Sequence, residues 1–141
     1  MTVASVTTDI NIGPFKIPSN AQNMIMNNYA DRNKISIELV IPEPMMSRSL
    51  ATLQWIHNDR KLSLVILSSI YQLPDEGDKI SEIINNMSEV NFHFAIEGLN
   101  GKGGDFLHKC IEEAKKFMKI SMIDSTKTKW SELYEIKKNF N

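Results

Sequence analysis

The chain has 141 residues, with 16 basic and 17 acidic side chains and a formal net charge of -1. This length suits one ordinary domain, and the balanced charge excludes an overall basic field that would attract nucleic acids or anionic membranes. No apolar run approaches the roughly 18 residues of a membrane span, and the N-terminal segment lacks the pattern of a signal peptide. The single cysteine, Cys110, cannot form an internal disulfide. These features predict a cytoplasmic protein without a membrane partner.

The predicted elements alternate between strands and helices from the N-terminus onward. Residues 2–8 are β-branched and predict the first strand. A helix follows, for which Ser19 is the expected N-cap and Gln22 the partner in a capping box. The second strand is predicted over 35–41. The apolar stripe predicted for the first helix comprises Ala21, Met24, Ile25, Asn28 and Tyr29.

Three more helices and two more strands are predicted further along the chain. The strands cover 62–69 and 90–96, and the glycine-dense segment 98–106 predicts a loop before the fourth helix. Residues 1–120 then form one α/β domain, and 121–141 form an extension that is helical from about position 130. The predicted inward positions of the second, third and fourth helices are Met46, Leu50, Leu53 and His57, then Ile80, Ile83, Ile84 and Met87, then Phe106, Cys110, Ala114, Phe117 and Met118.

This order of elements predicts an α/β three-layer sandwich, in which a four-stranded, mostly parallel sheet of order 2-1-3-4 has helices on both faces. The third strand is apolar on successive residues, as expected of a central strand that is covered on both sides. Ligands bind such sheets beyond the carboxyl ends of the strands, where the strand order reverses. The candidate substrate-binding residues at or beside this edge are Thr8, Gln22, Glu43, Ser68, Ser69, Gln72 and Glu97.

Each candidate also has a purely structural interpretation. Ser68 and Ser69 could end the strand and bond local backbone, and no neighbouring base would activate either as a nucleophile. Glu43 and Glu97 could act as acid and base if their surroundings separated their pKa values, or they could be solvated or paired with cations. Gln22 could simply cap its helix. The sequence therefore assigns no catalytic residue.

The histidines carry similar alternatives. His93 lies between two phenylalanines in a strand, so it faces the opposite side and is either packed or a polar member of the site. His57 shares the stripe of the second helix, but the ordinary explanation of a histidine on an amphipathic helix is a surface position. His108 and Glu112 are four residues apart, a spacing that could hold a metal, but no third ligand is evident. The pattern favours a surface pair and no metal, and it identifies no cofactor.

Three segments, "IPSNAQNMIMNNYADRN", "SSIYQLPDE" and "FHFAIEGL", together resemble the sporadic carbohydrate cluster family, small proteins encoded among bacterial genes for cell-surface carbohydrate biosynthesis. The resemblance covers roughly residues 10–99. It implies a pathway and not a reaction. Together with the polar cluster at the sheet edge, it leads to the first hypothesis, a small enzyme that acts on a sugar or sugar-acid intermediate and has a sugar or sugar-nucleotide ligand. The alternative is a non-catalytic partner of a pathway enzyme, or a homo-oligomer.

A more distant resemblance is to the catalytic domain of serine recombinases, which shares the opening strand, a helix with Gln22 and Tyr29, and a third strand that runs into a short leucine-containing turn. Recombinase chemistry needs a serine nucleophile on the first strand and several arginines that hold the scissile phosphate. The turn here has no arginine over 72–75, and Asp9 follows the first strand, where a carboxylate would repel a phosphodiester. A degenerate recombinase-like DNA binder is therefore ranked last, and a nucleic-acid partner is not expected, although lysines cluster in 110–130.

Overall fold

The computed structural model of the chain describes residues 2–8, 16–43, 50–74 and 77–116. The predicted extension over 121–141 lies outside these residues. The same holds for Met46, Phe117 and Met118, three of the predicted inward positions.

The described residues form an alternating series of strands and helices around one sheet. The sheet has the order β2-β1-β3-β4-β5, with parallel pairing among the first four strands and antiparallel pairing of the last. The predicted α/β class and the order 2-1-3-4 are confirmed, and one strand is added. The elements are β1 Val3–Thr8, α1 Ser19–Arg32, β2 Leu39–Glu43, α2 Ala51–Asp59, β3 Leu64–Leu67, a 3-10 turn Ile70–Gln72, α3 Gly77–Asn86, β4 Asn91–Phe94, β5 Leu99–Lys102 and α4, described over 105–116.

The added strand, β5, replaces part of the loop predicted over 98–106. Gly98 has a φ of 67°, which a residue with a side chain rarely adopts, and its N–H donates to Phe94 O at 2.9 Å to reverse the chain. Gly101 then lies against the ring of Phe106, where an added Cβ would come within 2.6 Å of Cγ. The glycines therefore serve a tight hairpin and a close contact with α4.

Helices cover both faces of the sheet, and most of the predicted inward positions are buried. On the face of α2, α3 and α4, the strands contribute valine, leucine and phenylalanine side chains to the larger core. The smaller core lies under α1, where Met26, Tyr29 and Ala30 pack with Ile66 and Ala95. The predicted positions that are buried on α2, α3 and α4, or just before or after one of them, are Leu50, Leu53, His57, Ile80, Ile83, Met87, Cys110 and Ala114.

The stripe predicted for α1 is confirmed at Tyr29 and Ile25, which lie in or against the smaller core, and wrong at Met24 and Asn28. Met24 is 66% exposed, whereas Gln22 and Met26 are fully buried. The capping box at Ser19 is also absent, because Pro18 is the N-cap and makes no side-chain cap hydrogen bond. The buried face of the helix includes Gln22 and Met26, which the apolar spacing left out of the predicted stripe.

The second strand covers Leu39–Glu43, whereas 35–41 was predicted. It begins four residues later and ends two residues later than expected. Ile35 and Ile37 pack against the smaller core and precede the strand. The later ending places Glu43 level with Thr8 at the carboxyl edge of the sheet. Within the part of the chain that the structure describes, no helix is both long and apolar enough to span a membrane.

Candidate functional site at the carboxyl edge

The carboxyl edge of the sheet holds the predicted site residues, and most of them form one buried hydrogen-bond network. Thr8, Ser68, Ser69 and Gln72 bond to one another, Gln22 joins through Thr8, and Glu97 joins through the 3-10 turn. Glu97 is half-buried, and all the others are at most 4% exposed. The predicted switch point between β1 and β3 is therefore where these side chains meet.

Gln72 is the centre of this network. Its Oε1 accepts from Ser68 N at 2.6 Å, from Ser68 Oγ at 2.5 Å and from Ser69 N at 3.3 Å. Its Nε2 donates to Val6 O at 3.1 Å and to Thr8 Oγ1 at 2.7 Å. One amide side chain thus joins the ends of β1 and β3 across the sheet.

The 3-10 turn that carries Gln72 is fixed from both ends. Ser69 Oγ accepts from Tyr71 N at 3.2 Å, and Gln72 completes a capping box with the N-cap Ser69. Glu97, which follows β4, accepts the N–H of Ile70 through Oε1 at 2.5 Å. The pKa of the Glu97 carboxyl is raised by burial, and the hydrogen bonds from Ile70 and Ser69 counter only part of that effect.

Gln22 connects the start of α1 to the end of β1. Its Oε1 accepts from Thr8 N at 3.0 Å, and its Nε2 donates to Thr8 O and to Ile17 O, each at 2.8 Å. The side chain therefore pairs with Thr8 as a neighbouring strand would. It holds together the two described ends of the connection between β1 and α1.

Glu43 has a different task from the rest of the group. It is the register partner of Thr8, but its carboxylate accepts from Leu53 N at 2.7 Å and from Thr52 N at 3.4 Å. The residue before α2, Leu50, has a φ of 51° and makes no side-chain cap hydrogen bond. Glu43 thus supplies the negative charge and the acceptor that the N-terminus of α2 lacks.

The buried polar atoms of the network all have hydrogen-bond partners. Among the described residues, no buried side-chain nitrogen or oxygen lacks a hydrogen-bond partner. Burial and hydrogen bonds shift the pKa of Glu97, and no cation among the described residues is one of the causes. These side chains hold the strand ends together, and contact between any of them and a substrate remains a prediction.

The imidazole of His57 is not on the surface, contrary to the expectation for its helix position. It is 6% exposed, and its Nδ1 accepts from Leu62 N at 3.1 Å. Burial and the charge of Lys61 lower its pKa, and a hydrogen bond with the backbone of Asn86 opposes this effect. His57 therefore connects α2 with the end of α3. Its spacing from Leu50 and Leu53 matches the apolar stripe of the helix, and this spacing was the signal that His57 is buried.

A second polar group lies on the α1 side of the sheet, away from the network. Tyr29 Oη is 2.7 Å from His93 Nδ1, and the rings meet edge-on with centroids 5.6 Å apart. Asn100 of β5 also bonds to the Tyr29 hydroxyl. The alternation of Phe92, His93 and Phe94 predicted that His93 faces away from its neighbours, but nothing in the sequence indicated Asn100. His108 and Glu112 form a surface pair at 3.9 Å.

The fold is similar to those of a resolvase family recombinase and of an integrase catalytic domain. One similar solved structure is a resolvase family site-specific recombinase from Streptococcus pneumoniae, 14% identical, with a TM-score of 0.59 over 94% of this chain and 97% of that chain. Another is the N-terminal catalytic domain of TP901-1 integrase, 12% identical, with a TM-score of 0.54 over 93% of this chain and 99% of that one. No family model and no curated protein sequence match the chain.

These comparisons confirm the distant fold resemblance and correct two predictions. The assignment to a carbohydrate pathway was wrong, both as an enzyme with a sugar ligand and as a partner of a pathway enzyme, because the similar structures are recombinase and integrase domains. The low ranking of a nucleic-acid partner was wrong for the same reason. The carbohydrate resemblance rested on Gln22, Ser69 and Glu97. These side chains bond to backbone at the strand ends, so their pattern indicates the fold and not a pathway. A net charge near zero, in turn, says nothing about its local distribution.

Proposed function

We propose that the protein binds duplex DNA through a recombinase-like fold and does not cleave it. The observation that carries the proposal is the fold likeness to a site-specific recombinase and to an integrase catalytic domain, which extends over more than nine-tenths of this chain. The likeness also spans nearly the whole of those two chains, so it is a likeness of the complete fold and not of one short motif.

The chemistry of the carboxyl edge supports the second half of the proposal. Cleavage of the serine recombinase kind requires a free hydroxyl nucleophile and cations that hold the phosphate. The hydroxyl at the end of β1 belongs to Thr8, is 2% exposed and accepts from Gln72 Nε2 at 2.7 Å. The amides, hydroxyls and backbone groups that hold it carry no positive charge. From the described side chains of this network, a phosphodiester would gain neither a base nor charge neutralisation.

Binding can be tested with the full chain and fluorescently labelled duplexes of mixed sequence. Fluorescence anisotropy at salt concentrations from about 50 to about 200 mM should give a log of the binding constant that falls linearly with log salt, as counterions leave the phosphates. A single-stranded oligonucleotide of the same length serves as the comparison. If the duplex is not bound at low salt, or if binding is independent of salt, the DNA role is refuted.

Cleavage is tested separately with supercoiled plasmid. We expect no nicked or linear product and no covalent protein–DNA adduct in denaturing gels. Thr8→Val is the matched variant, because it keeps the side-chain shape and removes the hydroxyl. Plasmid nicking by the wild type that disappears in Thr8→Val would overturn the non-cleaving part of the proposal and leave the binding part standing.

A further inference from the structure

The strand β2 is an edge of the sheet, and within the part of the chain that the structure describes no strand lies beyond it. Val40, in the middle of this strand, is 59% exposed. Its register partner on β1 is Ser5, which is in turn the partner of Ile66 on β3, so the three side chains share the α1 side of the sheet. The helix covers Ile66 and leaves Val40 open. An exposed β-branched side chain at the centre of an edge strand favours pairing with a further strand.

One hydrogen bond fixes the direction of the backbone groups of β2. Glu38 N, just before the strand, donates to Val3 O of β1 at 2.9 Å. In a parallel strand, the N–H and C=O of one residue point to the same side, and that side alternates from residue to residue. The backbone of Val40 therefore faces β1, as that of Glu38 does. The backbone groups of Leu39 and Ile41 face outward, and each residue offers one donor and one acceptor.

Proline and lysine often keep edge strands from pairing with other chains. Pro42 lies two residues after Val40, so its ring nitrogen faces β1 and removes no outward donor. The strand contains no lysine. The opposite edge strand, β5, does include Lys102, next to Gly101, which has little strand propensity. The outer side of β2 is therefore the edge of this sheet to which another strand can add.

The residues of β2 fit a second copy of the same strand in antiparallel orientation. When Val40 lies opposite Val40 of the second copy, Leu39 of each copy lies opposite Ile41 of the other. These are the residues whose backbone groups face outward, so each such pair can exchange both of its N–H···O bonds. Glu38 then lies opposite Pro42, and no like charges face each other. Leu39, half-buried in the single chain, gains Ile41 of the second copy as a neighbour.

We infer that the protein forms a symmetric dimer in which the β2 strands of two copies pair antiparallel and join the two sheets into one. The two-fold axis passes between the two Val40 residues, perpendicular to the sheet, so that both copies keep α1 on the same face. A second copy is the partner because this one register satisfies the outward backbone groups, covers the exposed valine and opposes no charges. The inference is independent of the proposed DNA binding.

Val40→Lys is the variant that should break the pairing. Sedimentation equilibrium of the full chain, without DNA and over a wide range of protein concentrations, measures the Kd of the dimer. Val40→Lys should raise this Kd by about 100-fold, because like charges would face each other across the two-fold axis. Met24→Lys adds the same charge at a position of α1 that is 66% exposed, and it should change the Kd by less than about threefold.

Cysteine crosslinking tests the register. In Val40→Cys, the two thiols should lie in a non-hydrogen-bonded pair with Cα atoms about 4.5 Å apart, close enough for a disulfide. Oxidation should then give a band of twice the chain mass that disappears on reduction. Glu38→Cys is the matched control, because its two copies would be about 13 Å apart along the strands, which no disulfide spans. The wild type, in which Cys110 is buried, should not crosslink.

Each outcome bears on a different part of the inference. A wild-type chain that stays monomeric at every concentration would refute the dimer. A dimer that persists in Val40→Lys, or that Met24→Lys dissociates equally well, would refute β2 as the interface. Crosslinking of Glu38→Cys in place of Val40→Cys would overturn the register. If circular dichroism shows that Val40→Lys is unfolded, Val40→Cys decides alone. Because no DNA is present, a negative result leaves the proposed DNA binding standing.

Discussion

Gln72→Met replaces the central side chain of the carboxyl-edge network by one of similar length that cannot accept or donate in the same way. The buried amides Ser68 N and Ser69 N, now 2.6 and 3.3 Å from the glutamine oxygen, would lose that acceptor. An unsatisfied buried donor costs about 1–3 kcal/mol, so the two amides together should lower the free energy of unfolding by about 2–6 kcal/mol. Since small domains have about 5–15 kcal/mol in total, this loss should be large.

Urea denaturation followed by circular dichroism measures this change directly. The midpoint should fall while the dependence on urea stays constant, because the surface exposed on unfolding is unchanged. Asn27→Leu, at an exposed position of α1, is the control and should stay within about 0.5 kcal/mol of the wild type. A loss of less than about 1 kcal/mol in Gln72→Met would refute the reasoning that this side chain satisfies the strand ends.

Further predictions concern other polar groups in the fold. Glu43→Ala should cost about 1–3 kcal/mol in urea denaturation, because the first amides of α2 lose their acceptor. Burial lowers the pKa of His57, so the unfolded chain binds more protons than the folded chain. The free energy of unfolding should therefore fall as the pH drops below 6.5. His108→Gln, at an exposed histidine, is the control and should keep this pH dependence. Burial raises the pKa of Glu97 above 4.5, so the folded state holds the extra proton and stability is lost as pH rises through the raised pKa. The free energy of unfolding of Glu97→Gln should therefore rise relative to that of the wild type between pH 4.5 and 7 in the same assay. The pKa of the Cys110 thiol is raised to about 11, so iodoacetamide should label it slowly at pH 8 until urea unfolds the chain, and fast labelling of the folded protein would contradict this.

The sheet could be predicted from the sequence because its signals are local. The apolar run that contains β3 and the β-branched β1 each indicate a strand without knowledge of the rest of the chain. The short β5 could not be predicted, because its residues have little strand propensity and two glycines define its geometry: Gly98 reverses the chain and Gly101 fits beneath an aromatic ring. Its pairing with β4 depends on tertiary contacts that a local pattern does not contain.

The candidate site was predictable in place but not in chemistry. Parallel strands bring their carboxyl ends to one edge, which locates Thr8 and Ser68 from topology alone. Whether these hydroxyls face a ligand depends on which side chains bond to them. Gln72, four residues after Ser68 in the chain, bonds to both hydroxyls. Gln22 shows the same limit, since its spacing from Ser19 suggests a cap while its amide reaches β1.

A glutamine side chain explains how the described ends of two strands are joined at the carboxyl edge without a charged group. An amide offers donor and acceptor atoms together, so Gln72 can join Thr8 on β1 to Ser68 on β3 with no charge left over. An arginine in the same place would offer only donors and would leave the amides of Ser68 and Ser69 without an acceptor, so it would need an anion to balance its charge. The amide therefore satisfies the described strand ends without adding a charge, whereas a guanidinium there would need an anion beside it.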